Sequence, residues 1–191
     1  MKSLLIFISL WLITYSGLGA QPFSPEIPCQ EGINLLPMYG GVAKCAGQLK
    51  ADEDFFAYCD EHFDDREEAS EHYREIGWNY MYGGDLDTAM KRFNHAWLLD
   101  EDNAAVYCSF GWLLGKKGKA GEAVPFFEKA VTMEPDDADL LMFVAVGYNE
   151  LYDSTMDETY HKRALELLNK GLLLEPDNAS IQDVINEIGR K

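Results

Sequence analysis

A length of 191 residues suits one domain of ordinary size, and 47% hydrophobic against 26% charged residues is the balance of a folded chain. The 16 Lys+Arg face 33 Asp+Glu, a formal charge of −17 that repels phosphate backbones and anionic lipid. These values, and the lack of any apolar run near the ~18–20 residues of a bilayer span, exclude collagen, coiled-coil rods, multi-pass membrane proteins and nucleic-acid binders.

Met1-Lys2-Ser3 carries one positive charge, Leu4 to Ile13 is apolar but for Ser9, and Tyr15 to Ala20 ends in small residues. That order predicts a secretory signal cleaved near Ala20, and with it export to the periplasm or beyond the cell. Residues 1–20 hold one Lys and no acid, so their removal leaves −18. No membrane span is expected in the mature chain. Residues 21–68 read as an irregular arm and a capping helix. The arm holds Pro22, Pro25, Pro28, Pro37 and Gly40-Gly41. The helix covers Asp52 to Phe63, with Phe55, Phe56, Cys59 and Phe63 at helical spacing.

Export places Cys29, Cys45, Cys59 and Cys108 in an oxidising compartment, where three full pairings are open to them. Cys29 and Cys45 lie in a stretch that cannot build much core of its own. A bridge there closes a loop of about 16 residues and stabilises by about 3 kcal/mol. Cys29–Cys45 is therefore the favoured pair, with Cys59 and Cys108 as buried thiols.

From residue 69 to 191 the chain repeats. A shift of 34 aligns Tyr73 with Tyr107, Gly77 with Gly111, Ala89 with Ala123, Phe93 with Phe127, and Ala96 with Ala130. A further shift of 41 carries Ala123 to Ala164, Phe127 to Leu168, Ala130 to Gly171 and Pro135 to Pro176. Seven extra residues therefore enter between Tyr148 and Ala164. Each unit predicts two antiparallel helices: Ala104 to Lys117, for example, stopped by Gly118, then a helix whose inner face is Ala123, Phe127, Ala130 and Val131. Pro125 falls within about the first turn of that second helix, where few amides have partners to lose. Asp102-Asn103, Asp136-Asp137 and Asp177-Asn178 cap the helices that follow them. In the third unit Thr155 to Glu158 has the form of a capping box, predicting a second helix from about Met156 to Leu174 and a projecting lobe with Tyr152, Tyr160 and His161. Residues 179–191 are an amphipathic cap with Ile181, Val184, Ile185 and Ile188 on one face.

These residues resemble the tetratricopeptide repeat, over units 70–103, 104–137 and 138–178. The resemblance implies an all-α fold: a right-handed α-α superhelix of three helix pairs, with an N-terminal arm and helix and a C-terminal capping helix. It also implies a concave groove lined by the first helix of each unit. On that face the sequence places Arg74, Trp78, Met81 and Tyr82 in unit one, Cys108, Trp112 and Lys116 in unit two, and Met142 and Asn149 in unit three. Aromatic and methionine side chains flanked by polar ones suit a protein or peptide partner, and the acidic surface favours partners with basic patches. The arm or a second copy of the chain are the other candidate occupants, so homo-oligomerisation stays open.

No nucleophile elbow, phosphate loop, dinucleotide fingerprint or zinc-protease motif is present in the sequence. The expectation is a non-catalytic interaction module without metal or cofactor. The alternative is a redox-active or metal-binding envelope protein using Cys59, His62 and Cys108, although structural zinc needs four ligands. Asn178-Ala179-Ser180 matches a glycosylation acceptor, but a capping role explains the Asn.

Overall fold

A computed structural model describes residues 27–190; the expected signal segment and its expected cleavage near Ala20 lie outside the described residues. After two short 3-10 turns, Ile33–Leu35 and Pro37–Gly41, eight helices follow. They are α1 (Ala46–His62), α2 (Arg66–Tyr82), α3 (Leu86–Leu99), α4 (Ala104–Lys116), α5 (Ala120–Met133), α6 (Ala138–Thr155), α7 (Glu158–Leu174) and α8 (Ala179–Ile188). No strand occurs among the described residues, and no described helix is long and apolar enough to cross a membrane. The helices pack as the pairs α2/α3, α4/α5 and α6/α7, with α4 touching both α2 and α6 and with α8 on the open end of the last pair. This is the all-α superhelical stack that the resemblance to the tetratricopeptide repeat implies.

The acidic composition is partly spent on helix starts. Asp65, Asp85, Asn103, Asp137, Asp157 and Asn178 each accept a backbone N–H from the first turn of the following helix. Each such cap contributes about 1 kcal/mol. Asn178 also donates to Glu175, so its amide is engaged in the turn.

Four details differ from the sequence reading. The N-terminal helix starts at Ala46 rather than Asp52, and α2 starts at Arg66, ahead of the unit boundary at 70, because Asp65 caps it. Pro125 is the sixth residue of α5, beyond the first turn, and sits on the exposed side, where its ring faces solvent. In the third unit the capping box does not form. Met156 ends α6 in a left-handed conformation, Thr155 donates back to Leu151 O, and Asp157 caps α7 instead. The insertion is nevertheless helical: α6 has 18 residues against 13 in α4, and α7 has 17 against 14 in α5. Tyr152 and His161 meet across the extension at 5.0 Å between ring centroids.

Packing within a pair rests on missing side chains. A Cβ at Gly77 would lie 2.4 Å from the Phe93 ring, and one at Gly111 would lie 2.6 Å from Phe127. The phenyl rings fill that space and are themselves fully buried. Polar ties then lock one unit to the next. Tyr148 and Arg163 both donate to Glu128, at 2.6–2.8 Å, joining α5, α6 and α7. Ser70 donates to Ala96 O and accepts from Asn103, tying the first pair to the start of the second.

The arm packs on α3. Its anchor is buried Asn94, whose Nδ2 donates to the carbonyls of Asn34 and Leu36 at 3.0 and 2.9 Å. Met38, Tyr39, Gly40 and Gly41 all have φ between 51° and 71°, a left-handed turn that costs each non-glycine about 1–2 kcal/mol. Burial of Tyr39, with Lys44 Nζ 3.3 Å from its ring centroid, and the expected Cys29–Cys45 disulfide hold the turn in place. The helix α1 leans on this region through Phe55, which stacks on His95 at 4.4 Å. Burial and the neighbouring Arg92 charge lower the His95 pKa from 6.5 to about 4.

Gly111→Ala is expected to destabilise the fold by about 1–3 kcal/mol through overpacking against Phe127, read from the urea midpoint at unchanged slope. His95 gives a pH signature. Its native ring stays neutral where the unfolded ring protonates, so stability is complete above pH 6.5 and falls as pH drops toward 4. Wild type is expected to lose about 2 kcal/mol more than His95→Phe across that window, measured by urea unfolding at each pH.

Candidate functional site: the aromatic face of the first helices

The exposed faces of α2, α4 and α6 carry one connected aromatic group. Trp78 lies 5.7 Å from Trp112, 5.2 Å from Phe143 and 5.5 Å from Tyr82, centroid to centroid. Trp112 stacks on Phe143 at 5.5 Å with the planes 30° apart. Residues 78 and 112 occupy equivalent positions in successive units, which brings the two indoles together. The Trp78 indole donates to Ser109 Oγ at 3.0 Å, and Ser109 in turn donates to Ala105 O. This fixes the ring orientation.

The cluster grades from core to surface. Trp78 is 8% exposed and Tyr82 77%, so the first is a foundation and the second a contact surface. Between them is a hollow of about 340 Å³ lined by Arg74, Glu75, Trp78, Asn79, Tyr82 and Phe143. A second hollow of about 280 Å³ lies between α4 and α6, walled by Gly111, Gly115, Trp112 and Gly147, with Lys116 and Glu150 at its rim. Lys116 and Glu150 pair at 2.8 Å, and Arg74 pairs with Glu71. Glu71 and Glu75 both act on the Arg74 charge, so two carboxylates share one guanidinium beside the first hollow.

The residues expected on this face divide in two. Arg74, Trp78, Tyr82, Trp112 and Lys116 line it. Met81, Cys108 and Asn149 do not, because packing buries them beneath it at 6%, 0% and 7% exposure. Met142 is partly buried against the core of the second and third helix pairs rather than lining either hollow. Phe143 was missed. The repeat phase puts Val146 at the tryptophan position of unit three, and Phe143 reaches the indoles from one helical turn earlier. Its alignment with Ser109, the indole's partner in unit two, is the signal that could have found it. The described part of the arm packs on α3, and none of its residues lines either hollow.

The alternative constellation does not assemble. Cys59 is buried against Ala69 and Leu99, while His62 is exposed and stacks on Tyr58. Cys108 belongs to a different core cluster. Burial pushes both thiols up from their ordinary value, away from the thiolate that redox or metal chemistry needs. Among the described residues no group of three His, Cys, Asp or Glu is placed to hold a metal ion.

Residues 104–137 match the family model of the tetratricopeptide repeat, and the chain carries that repeat in its second helix pair. No curated relative matches the sequence. Among solved structures the chain is similar to the tetratricopeptide-repeat domain of Arabidopsis OM64, at 20% identity and a TM-score of 0.49, covering 65% of this chain and 98% of that one. It is also similar to the first such domain of Spaghetti (RPAP3) bound to an HSP90 peptide, at 17% identity and a TM-score of 0.49, covering 68% and 95%. A third is YrrB, described as a tetratricopeptide-repeat protein with an unusual peptide-binding site, at 19% identity and a TM-score of 0.47, covering 72% and 66%.

Native protein treated with a thiol-specific reagent is expected to leave Cys59 and Cys108 unlabelled over minutes, with both reacting fully in denaturant. Rapid native labelling of either would return the thiol to the list of accessible groups.

Proposed function

We propose that this chain is an exported, non-catalytic interaction module that binds a protein or peptide segment on the α2/α4/α6 face. The observation that carries the reading is the continuous Trp78–Trp112–Phe143 cluster, exposed through Tyr82 beside a hollow of about 340 Å³. Aromatic anchors rimmed by polar side chains are the usual energetic centre of a protein interface. Glu75 and the formal charge of −17 favour partners with basic patches, which steer association at low salt. Export rests on the order of residues 1–20, and the Cys29–Cys45 disulfide suits an oxidising compartment.

The residue to change is Tyr82, because Trp78 supports the core and its loss would confound binding with unfolding. Affinity capture from envelope and secreted fractions should retain a partner on wild type. Tyr82→Ser should lose it, with thermal stability within about 0.5 kcal/mol of wild type. Retention of the same partner at the same strength by Tyr82→Ser would remove this face from the reading.

A further inference from the structure

On the arm side of the molecule the arm, α1 and α3 border an open cavity of about 430 Å³ that shares no lining residue with the aromatic face. That is the size of a small-molecule site. Its apolar walls include Ile33, Phe55 and Leu98, and its polar lining includes Tyr39, Lys44, Asp52 and His95 together with Glu31 and Gln48. Lys44 and Asp52 pair at 2.6 Å, with side chains 11% and 17% exposed.

Behind His95 lies Arg92, which has no carboxylate partner among the described residues and whose Nε is buried without a hydrogen bond. Of the charged groups that line the cavity, Lys44 is paired with Asp52 and Glu31 is solvent-exposed, while Arg92 lies outside the lining and acts on it through His95. The Arg92 charge behind the His95 ring favours an anion over a cation on the cavity side of that ring.

The hydrogen-bond donors fit the same ligand. Arg92 Nη1 lies 3.3 Å from His95 Nδ1. A guanidinium only donates, so Nδ1 must accept, and the neutral ring carries its proton on Nε2. Burial and Arg92 keep that ring neutral at pH 7. Its Nε2–H has no acceptor among the described residues, nor has the Tyr39 hydroxyl, which burial keeps protonated. Lys44 donates one N–H to Asp52 and lies over the Tyr39 ring, and its ammonium has a third N–H to offer.

We propose that this cavity binds a small organic carboxylate with an apolar or aromatic body. The carboxylate takes the His95 Nε2–H, the Tyr39 O–H and a Lys44 N–H, and the body lies against Phe55 and Leu98. A free carboxylic acid and the C-terminus of a peptide supply the same chemistry.

Isothermal titration of the mature chain, disulfide intact, tests this with benzoate and phenylacetate against benzamide and phenylacetamide. A tripeptide ending in Phe, as free acid and as amide, forms the second arm. Acids in at least one arm are expected to saturate, with the matching amides weaker by roughly tenfold or more. Binding confined to one arm identifies the source. His95→Phe, which keeps the stack on Phe55 but removes the donor, should weaken the acid by roughly tenfold, and Tyr39→Phe serves if that variant is unfolded. Tyr82→Ser should leave the affinity unchanged, which separates this site from the aromatic face. Equal affinity for acids and amides, no saturation by any acid up to about 10 mM, or unchanged affinity in the folded variants would overturn the proposal.

Discussion

The stack depends on how closely the two helices of a pair approach. At Gly77 and Gly111 the absent Cβ is replaced by the face of a phenylalanine from the second helix, with no room left for a methyl group. This contact does two things. It closes the pair, and it fixes the rotation of the first helix about its axis. Residues one position on, Trp78 and Trp112, are thereby turned toward the same side in successive units. The aromatic face is therefore a consequence of the core contact, transmitted along rigid helices whose other side is fully packed.

The third pair shows how far this rule bends. Ala145 stands where the others have Gly, and Leu168 where they have Phe, so a methyl group and a smaller partner share the same space. Gly147 supplies a close approach two residues on, facing Phe127 of the preceding pair and the Trp112 indole. Phe143 then occupies the side that a third tryptophan would otherwise take, so the aromatic surface continues without sequence identity at the repeat position.

Much of this was legible in the chain, and the reasons are physical. Helix pairs recur because a 34-residue unit cannot bury its apolar face alone, which forces the same spacing on each copy. The Asp and Asn caps show because an orphaned helix N-terminus needs an acceptor. Three things were not legible. Which groove residues sink below the surface depends on helix rotation to within a fraction of a turn, so Cys108 and Tyr82 look equivalent in sequence and differ from 0% to 77% exposure. The cap of α7 was misread because Thr155 and Asp157 both suit an N-cap, and the left-handed Met156 decides between them. The arm's contact with α3 joins residues 58 and 60 apart, beyond any local pattern.

Two surfaces thus emerge on opposite elements: an aromatic one on the first helices, and a donor-lined cavity pinned by a disulfide beside α3. The central claim is that the first of these is where a partner docks. Site-specific photo-crosslinking tests it most directly, with a benzophenone side chain at Tyr82 and, as the comparison, at Leu173 on the exposed side of α7. A discrete crosslinked partner is expected from position 82, competed away by unmodified protein, and none from position 173. Crosslinking to the same partner from 173 but not from 82 would contradict it.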